Sequence, residues 1–421
     1  MAAPASAHDP YQALRYRDYR LFLAARLLAA IAVLMQDVAV GWQLYERTNS
    51  ALALGLTGLA SVTPTILFAL PAGALADRVD RRNVVRLGRL LTGSMSVWLA
   101  VLSATRGPVW MIYVALFLGG IGYAFVGPAQ NALLAQVLPT EAFANGITWS
   151  STAFEIAAVT GPALSGMLIA LEKSATGVYV ACALLAFTYV VLFTFVHPRE
   201  QAIEREPLTR AALAAGIRFV LHERIIFGAI TLDLFAVLFG GATTLLPIFA
   251  KDVLRVGPVG LGWLRAAPSA GALLTALWLA HRGPLRRAGR LLMIAVGGFG
   301  AATLVFGLSR SFPLSMAALF FVGAFDSISV VIRASLLQLR TPDRLRGRVN
   351  AVNSIFIDLS NELGGFESGS VAALIGPVAT VVLGGIGTLA VVGVVTARWR
   401  DLVGLDALDS PVEPAPEPVL E

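Results

Sequence analysis

The sequence predicts an all-α membrane protein with twelve transmembrane helices in two pseudo-symmetric six-helix bundles. Three observations predict this fold: the composition, a series of apolar runs long enough to cross a bilayer, and an internal duplication. Hydrophobic residues make up 57% of the 421 residues and charged residues only 14%. A water-soluble domain contains fewer apolar and more charged residues, so the composition excludes that class.

The apolar runs are each about 20 residues long, which is the length of helix that crosses a hydrocarbon core of about 30 Å. We assign twelve of them, centred near Ile31, Thr65, Met95, Gly122, Val159, Ala186, Ala236, Ser269, Gly298, Phe325, Asn361 and Gly387. The first run lacks a signal-peptide cleavage pattern and is followed directly by another span, so we expect it to be retained. Cys182 is the only cysteine, which excludes an intrachain disulfide.

The basic residues orient these spans, because short cytoplasmic loops hold Lys and Arg. With the N-terminus inside, 23 of the 32 Lys and Arg fall in cytoplasmic segments, six fall outside and three lie within spans. We therefore expect a multi-pass membrane protein with both termini in the cytoplasm. The basic residues are dispersed over loops, which argues against a nucleic-acid partner and leaves the lipid bilayer as the expected one.

The longest internal polar segment divides the chain into halves. We predict a cytoplasmic N-terminal segment (1–18), a first bundle (19–196), a cytoplasmic linker (197–223), a second bundle (224–398) and a tail (399–421). The linker stretch "LTRAALAAGIRFVLHER" has apolar residues at helical spacing, which predicts an amphipathic helix along the membrane surface. The tail is acidic and proline-rich, a composition that predicts disorder.

The two halves match at an offset of 203 residues. Gly120 matches Gly323, and Gly161 matches Gly364. Parallel duplicates of this kind are typical of transporters whose substrate path runs between the halves near the bilayer midplane.

Residues 73–82, "GALADRVDRR", resemble the loop signature that the major facilitator superfamily carries between spans two and three. Asp80 stands where that family usually has glycine. A second match lies in span five and resembles the antiporter motif that the family's exporters carry; its residues are Gly161, Pro162, Ser165 and Gly166. The stretches "QDVAVGWQLYERTNSALALGLTGL" and "LRGRVNAVNS" are similar to the subgroup of bacterial enterobactin exporters and macrolide-efflux-like proteins. This resemblance implies a location in the bacterial inner membrane.

The resemblance implies a cytoplasmic gate, in which the loop aspartate meets the unpaired N–H groups at the start of span eleven. Here that aspartate is Asp77. The gate residues are Gly73, Asp77, Arg78, Arg81, Arg82, Asn350 and Asn353. The alternative is that the loop arginines only anchor helix ends at the anionic leaflet, and we favour it for Arg86 and Arg89.

The energy source is expected to be an ion gradient. The sequence contains no P-loop, which ends in Gly-Lys-Ser/Thr, so ATP is not bound in that way. Ionisable residues inside membrane spans are costly and mark functional sites by default. The proton-coupling candidates are Asp37, Asp326, Asp233 and Glu155; for each, the alternative is a static contact with an arginine or the backbone. Arg333 is expected to snorkel toward the cytoplasmic surface.

The spans that line the cavity in the resembling fold supply further candidates. The substrate-cavity candidates are Tyr123, Gln36, Arg265, Asn361 and Glu362. All four histidines fall in cytoplasmic segments, so we expect no metal, no cofactor and no enzyme active site.

These features together predict a proton-coupled exporter of hydrophobic or amphipathic small molecules, such as drugs or siderophores. We expect it to work as a monomer by rocker-switch alternating access. Three alternatives remain at this point: a lipid or lysophospholipid translocase, an uptake symporter on the same fold, and a non-transporting membrane sensor.

Overall fold

The computed structural model describes residues 9–199, 210–281 and 287–405. Within helices, the side chains of residues 69–70, 73–74, 76–78, 210–213, 343–344 and 351 lie outside the described part.

The first half of the described chain forms six long helices. They are α1 (Arg17–Thr48), α2 (Ala51–Arg78), α3 (Arg81–Ala104), α4 (Trp110–Val137), α5 (Thr140–Glu172) and α6 (Thr176–Thr194). Their ends follow from local chemistry. Asp80 caps α3 by accepting a 2.9 Å hydrogen bond from the Arg82 backbone N–H, which satisfies one of the unpaired donors of the first turn. Asn49, between α1 and α2, adopts a left-handed φ of 46°, a conformation that asparagine tolerates better than most residues.

The second half begins with the linker helix α7 (Arg210–His222). The helices that follow are α8 (Arg224–Phe239), α9 (Gly257–Ala280), α10 (Ala288–Leu308), α11 (Phe312–Arg340), α12 (Asp343–Ile375) and α13 (Pro377–Arg398). Short helical turns extend α8 as far as Val253.

Ten helical segments of the described chain are long and apolar enough to cross a membrane. The other two predicted spans correspond to α9 and α12, which are 24 and 33 residues long. The polar residues within α12, including Asp358 and Glu362, reduce its hydropathy without shortening it. The predicted all-α, twelve-span fold is therefore confirmed.

The described helices belong to two compact units, residues 1–46 with 60–207 and residues 47–59 with 208–421. In the first unit α3 packs against α4 and α6, and in the second unit α10 packs against α11 and α13. The third helix of each six-helix set therefore has the same neighbours.

Individual contacts repeat at the sequence offset as well. A Cβ added at Gly161 would lie 3.0 Å from Leu34 Cβ on α1, and one added at Gly364 would lie 2.9 Å from the Val237 carbonyl on α8. Leu34 and Val237 are themselves 203 residues apart. The duplication is thus present in the helix packing of both units.

The linker helix α7 packs against protein. Val220 is 3% exposed and shares an apolar cluster with Ile226, Val349 and Val352. The structure forms the predicted helix and buries Val220 against the start of α12, where its apolar side meets an apolar face. Its place along the membrane surface stays a prediction.

The start of the predicted tail is ordered. Residues 400–403 form a short helix, and Leu402 and Leu405 are buried in a cluster with Leu292 and Val395. The prediction of disorder is therefore wrong for these residues, because two leucines of the tail fill an apolar site of the second unit. Residues 406–421 lie outside the described part of the chain.

Candidate functional site

A buried ion pair lies in the second unit. Arg333 Nη1 on α11 is 2.5 Å from Asp233 Oδ2 on α8, and the two side chains are 7% and 9% exposed. Arg333 Nε also faces Ser329 Oγ at 3.3 Å. The expectation that Arg333 snorkels is wrong, because Asp233 supplies a counter-ion inside the bundle and the guanidinium remains there.

A second carboxylate lies beside this pair. Asp326 precedes Arg333 by seven residues, which places both on the same face of α11. Its charge interacts with both Arg333 and Asp233. Within the described residues Asp326 makes no ion pair and no hydrogen bond. The cluster therefore contains two carboxylates and one guanidinium, and only one carboxylate is paired.

A cleft of about 460 Å³ opens in the first unit between α1, α4 and α5. It is lined by Arg26, Asn131, Leu134, Phe143, Ile147, Ser150, Ser151, Phe154 and Glu155. Glu155, one of the proton-coupling candidates, is partly buried in this wall. The lining combines aromatic and aliphatic side chains with a few polar groups, as ligand-binding clefts commonly do.

Two arginines of the first unit interact with each other, and one of them, Arg26, lines the cleft. Arg26 interacts electrostatically with Arg89 and with the phenols of Tyr19 and Tyr189. Arg89 is 8% exposed, and its guanidinium lies 5.0 Å from the centroid of the Tyr189 ring. Its Nη2 donates a 3.3 Å hydrogen bond to Gln130 Oε1, and its Nε has no partner in the described part. The interpretation of Arg89 as a helix-end anchor is wrong, because its position on α3 lies within the bundle.

The span-five motif forms a close contact between α5 and α1. Gly161, Pro162, Ser165 and Gly166 are all buried. Ser165 Oγ donates a 2.9 Å hydrogen bond to the Met35 carbonyl. The serine that replaces a glycine of the motif therefore keeps the small volume that close helix packing needs and adds a hydrogen bond.

A family model described as transmembrane secretion effector, from the major facilitator superfamily, matches residues 8–421. The chain belongs to this family. It is a membrane transporter and not an enzyme.

Two curated relatives of this chain are exporters. It is 26% identical over 383 residues to the enterobactin exporter EntS of Shigella flexneri, covering 89% of this chain and 90% of the relative. It is 28% identical over 397 residues to the multidrug efflux pump Tap of Mycolicibacterium fortuitum, covering 91% and 96%.

Solved structures confirm the fold of this chain. A bacterial homologue of the human lysosomal transporter Spinster, in an inward-facing conformation, has a TM-score of 0.67 at 16% identity, with 94% of this chain and 97% of that chain covered. A peptide transporter of the POT family has a TM-score of 0.73 at 12% identity, with 95% and 99% covered.

The superfamily loop signature, residues 73–82, lies only partly within the described residues. The side chains of Gly73, Asp77 and Arg78 lie outside the described residues. Arg82 Nη2 donates to the Thr194 carbonyl at the end of α6, at 3.3 Å. Arg86 Nη2 donates to the same carbonyl at 3.5 Å. In both contacts an arginine hydrogen-bonds an unpaired carbonyl at the C-terminus of a helix, where positive charge is favourable.

The remaining gate candidates are Arg81, Asn350 and Asn353. Arg81 and Asn353 are partly buried, and Asn350 is exposed. The latch through Asp77 stays a prediction of the sequence.

In the first unit, Asp37 is exposed on α1 and interacts electrostatically with Cys182 on α6. Gln36 Oε1 accepts a 2.8 Å hydrogen bond from Ser96 Oγ on α3, which engages it within the bundle. Tyr123 is 55% exposed on α4, and its phenol interacts with Arg26. Of these three, Tyr123 thus interacts with a residue that lines the cleft.

In the second unit, Arg265 Nη1 donates a 3.2 Å hydrogen bond to the Thr243 carbonyl in the turn after α8. Asn361 is exposed and donates from Nδ2 to the Ile357 carbonyl of its own helix at 2.9 Å. Glu362 is partly buried, and its Oε2 would lie 2.7 Å from a Cβ added at Gly58. The cavity candidates are thus divided between the two units.

Sequence reasoning missed Arg26 and Arg89 as site residues. The signal for Arg26 was its position inside an apolar run, the same signal that selected the acidic candidates. Arg89 follows the charged loop closely in the sequence and gave no such signal.

Proposed function

We propose that this transporter is a proton-coupled exporter of hydrophobic or amphipathic small molecules, located in the bacterial inner membrane with both termini in the cytoplasm. It works as a monomer by rocker-switch alternating access. Two exporters that match about nine tenths of the chain support the direction of transport. Their names, an enterobactin exporter and a multidrug efflux pump, support an amphipathic substrate.

The observation that carries the proton coupling is the cluster of Asp326, Asp233 and Arg333. Arg333 is bound to Asp233 at 2.5 Å, so Asp326 has no counter-ion of its own within the described residues. An ionised carboxylate without a partner is expensive at this depth in a membrane. Binding a proton removes that charge, and losing the proton makes Asp326 a competitor of Asp233 for Arg333.

This competition gives a physical link between proton binding and helix arrangement. Arg333 and Asp326 share α11, whereas Asp233 is on α8. A change in the charge of Asp326 therefore changes the attraction between α8 and α11. Asp37 and Glu155 remain further proton-coupling candidates in the first unit.

The experiment is transport in proteoliposomes with an imposed pH gradient, using enterobactin as the trial substrate. The wild type is compared with Asp326→Asn, and Asp401→Asn serves as a control because Asp401 is an exposed carboxylate after α13. We expect Asp326→Asn to lose export driven by the pH gradient and to keep substrate exchange without a gradient. Asp401→Asn should match the wild type.

Full dependence on the pH gradient in Asp326→Asn would contradict its role. Asp37→Asn, Asp233→Asn and Glu155→Gln tested in the same assay then decide among the other candidates. Substrate uptake together with protons would identify a symporter, and substrate binding without flux would identify a sensor.

A further inference from the structure

We propose that the cleft of the first unit binds the acidic group of an amphipathic organic anion, with Arg26 as the residue that contacts that group. This inference rests on the proposed function, because it names the class of substrate that the exporter carries.

The first step is the charge beside the cleft. Arg26 and Arg89 interact with each other and with phenols, but within the described residues neither makes an ion pair. Two guanidinium groups without a carboxylate repel each other, and burial strengthens that repulsion. A bound anion would supply the missing negative charge.

The second step is a comparison between the two units. At the offset of 203 residues, Arg333 corresponds to Gln130 and its partner Asp233 corresponds to Ala30. The second unit therefore neutralises its buried arginine with an acid of its own. The first unit has an alanine at the equivalent position, and Gln130 accepts from Arg89 as a neutral group. The positive charge that distinguishes the first unit comes from Arg26 and Arg89, whose equivalents in the second unit at the same offset are the apolar Ala229 and Leu292.

The third step is the accessibility of Arg26. Arg26 lines the cleft and is partly buried, whereas Arg89 is 8% exposed and is covered by Tyr189. Arg26 lies nine residues into α1, about 14 Å along the helix. A ligand in the cleft can therefore reach Arg26, and Arg89 adds positive potential behind it.

The hydroxyl of Tyr19 is already used. It donates a 2.6 Å hydrogen bond to the Gly146 carbonyl and lies 3.3 Å from Ser150 Oγ. These contacts join α1 to α5, and the guanidinium of Arg26 is the positively charged group in the lining of the cleft.

The shape and lining of the cleft define the rest of the ligand. A volume of about 460 Å³ is within the range of small-molecule sites. Phe143, Phe154 and Leu134 provide apolar walls for a hydrophobic body. Glu155 is in the same lining and would repel a second negative charge, so the cleft suits a monoanion better than a polyanion.

The test uses two fluorescent probes of nearly the same shape. Anilinonaphthalenesulfonate carries one sulfonate, and phenylnaphthylamine has the same aromatic body without the charge. Binding to the full-length protein in lipid nanodiscs is measured by fluorescence titration, with empty nanodiscs subtracted. The variants are Arg26→Gln, Arg26→Lys and the control Arg20→Gln, which changes an exposed arginine of the same helix.

We expect Arg26→Gln to weaken saturable binding of the sulfonate probe by about tenfold or more, which corresponds to about 1.4 kcal/mol, while binding of the neutral probe stays the same. Arg26→Lys should retain part of the affinity because it keeps the charge, and Arg20→Gln should match the wild type. Unchanged binding of the sulfonate probe in Arg26→Gln would overturn the proposal.

If Arg26→Gln does not fold, the wild type alone decides. Equal affinity for the two probes above the lipid background overturns the proposal, and preference for the sulfonate supports it. The proposed function is tested separately by proton-driven export. Loss of anion preference with intact export would therefore contradict only this inference, and intact anion binding without proton-driven export would contradict only the coupling.

Discussion

Arg333 Nη1 and Asp233 Oδ2 lie 2.5 Å apart and join α11 to α8 inside the second unit. The pair is buried on both sides, so each partner compensates a charge that would otherwise be costly. Asp326 lies beside this pair and makes no ion pair within the described residues. The predictions below concern the stability that this pair and other close helix contacts provide.

Replacing Arg333 by Met should lower the free energy of unfolding by about 3–5 kcal/mol, because Asp233 is then buried without a counter-ion. The double variant Asp233→Leu with Arg333→Met should recover most of the loss, since no charge remains. Thermal unfolding in detergent measures both. A double variant as unstable as Arg333→Met would show that the pair acts through something other than charge compensation.

Adding a methyl group at Gly161 or Gly364 should destabilise the protein by about 1–3 kcal/mol, because both helix contacts are too close for a larger residue. A Cβ at Gly364 would be 2.9 Å from the Val237 carbonyl. Gly127→Ala is the matched control, since nothing lies within 4 Å of a Cβ at that position. The control should be neutral or stabilising, and equal effects at all three glycines would contradict the packing argument.

Gly58→Ala should also be destabilising. Its new Cβ would lie 2.7 Å from Glu362 Oε2 and 2.9 Å from the Glu362 carbonyl oxygen. Adding Glu362→Ala removes the first contact and leaves the second, so we expect partial recovery of the melting temperature. Complete recovery would mean that only the carboxylate limits the approach of the two helices.

Asp80→Ala should cost about 1 kcal/mol, because the cap on the Arg82 N–H is lost. Asp80→Asn should change the free energy of unfolding by only a few tenths of a kcal/mol. Asp80→Gly, which introduces the usual residue of the superfamily motif, should have an equally small effect. Denaturant titrations of the three variants measure the order. Asp80→Ala as stable as the wild type would show that the cap contributes nothing.

The helices were predictable because a bilayer imposes a length on each apolar run. The equivalence of Gly161 and Gly364 was predictable because duplicated contacts keep the same residue types at a constant offset. The sequence could not predict the partner of Arg333 or the burial of Arg89, because the lipid-facing and protein-facing surfaces of a membrane helix are both apolar. The rotation of a helix, which decides which side chains meet, therefore leaves little signal in the pattern.

By itself, the sequence determined that this protein is a two-part, all-helical membrane transporter, since span length, loop charge and duplication are properties of the linear chain. Only the tertiary structure decided that Asp233 neutralises Arg333 and that neither Arg26 nor Arg89 makes an ion pair within the described residues. The reason is that charge compensation depends on distances between separate helices, and those distances are set by packing.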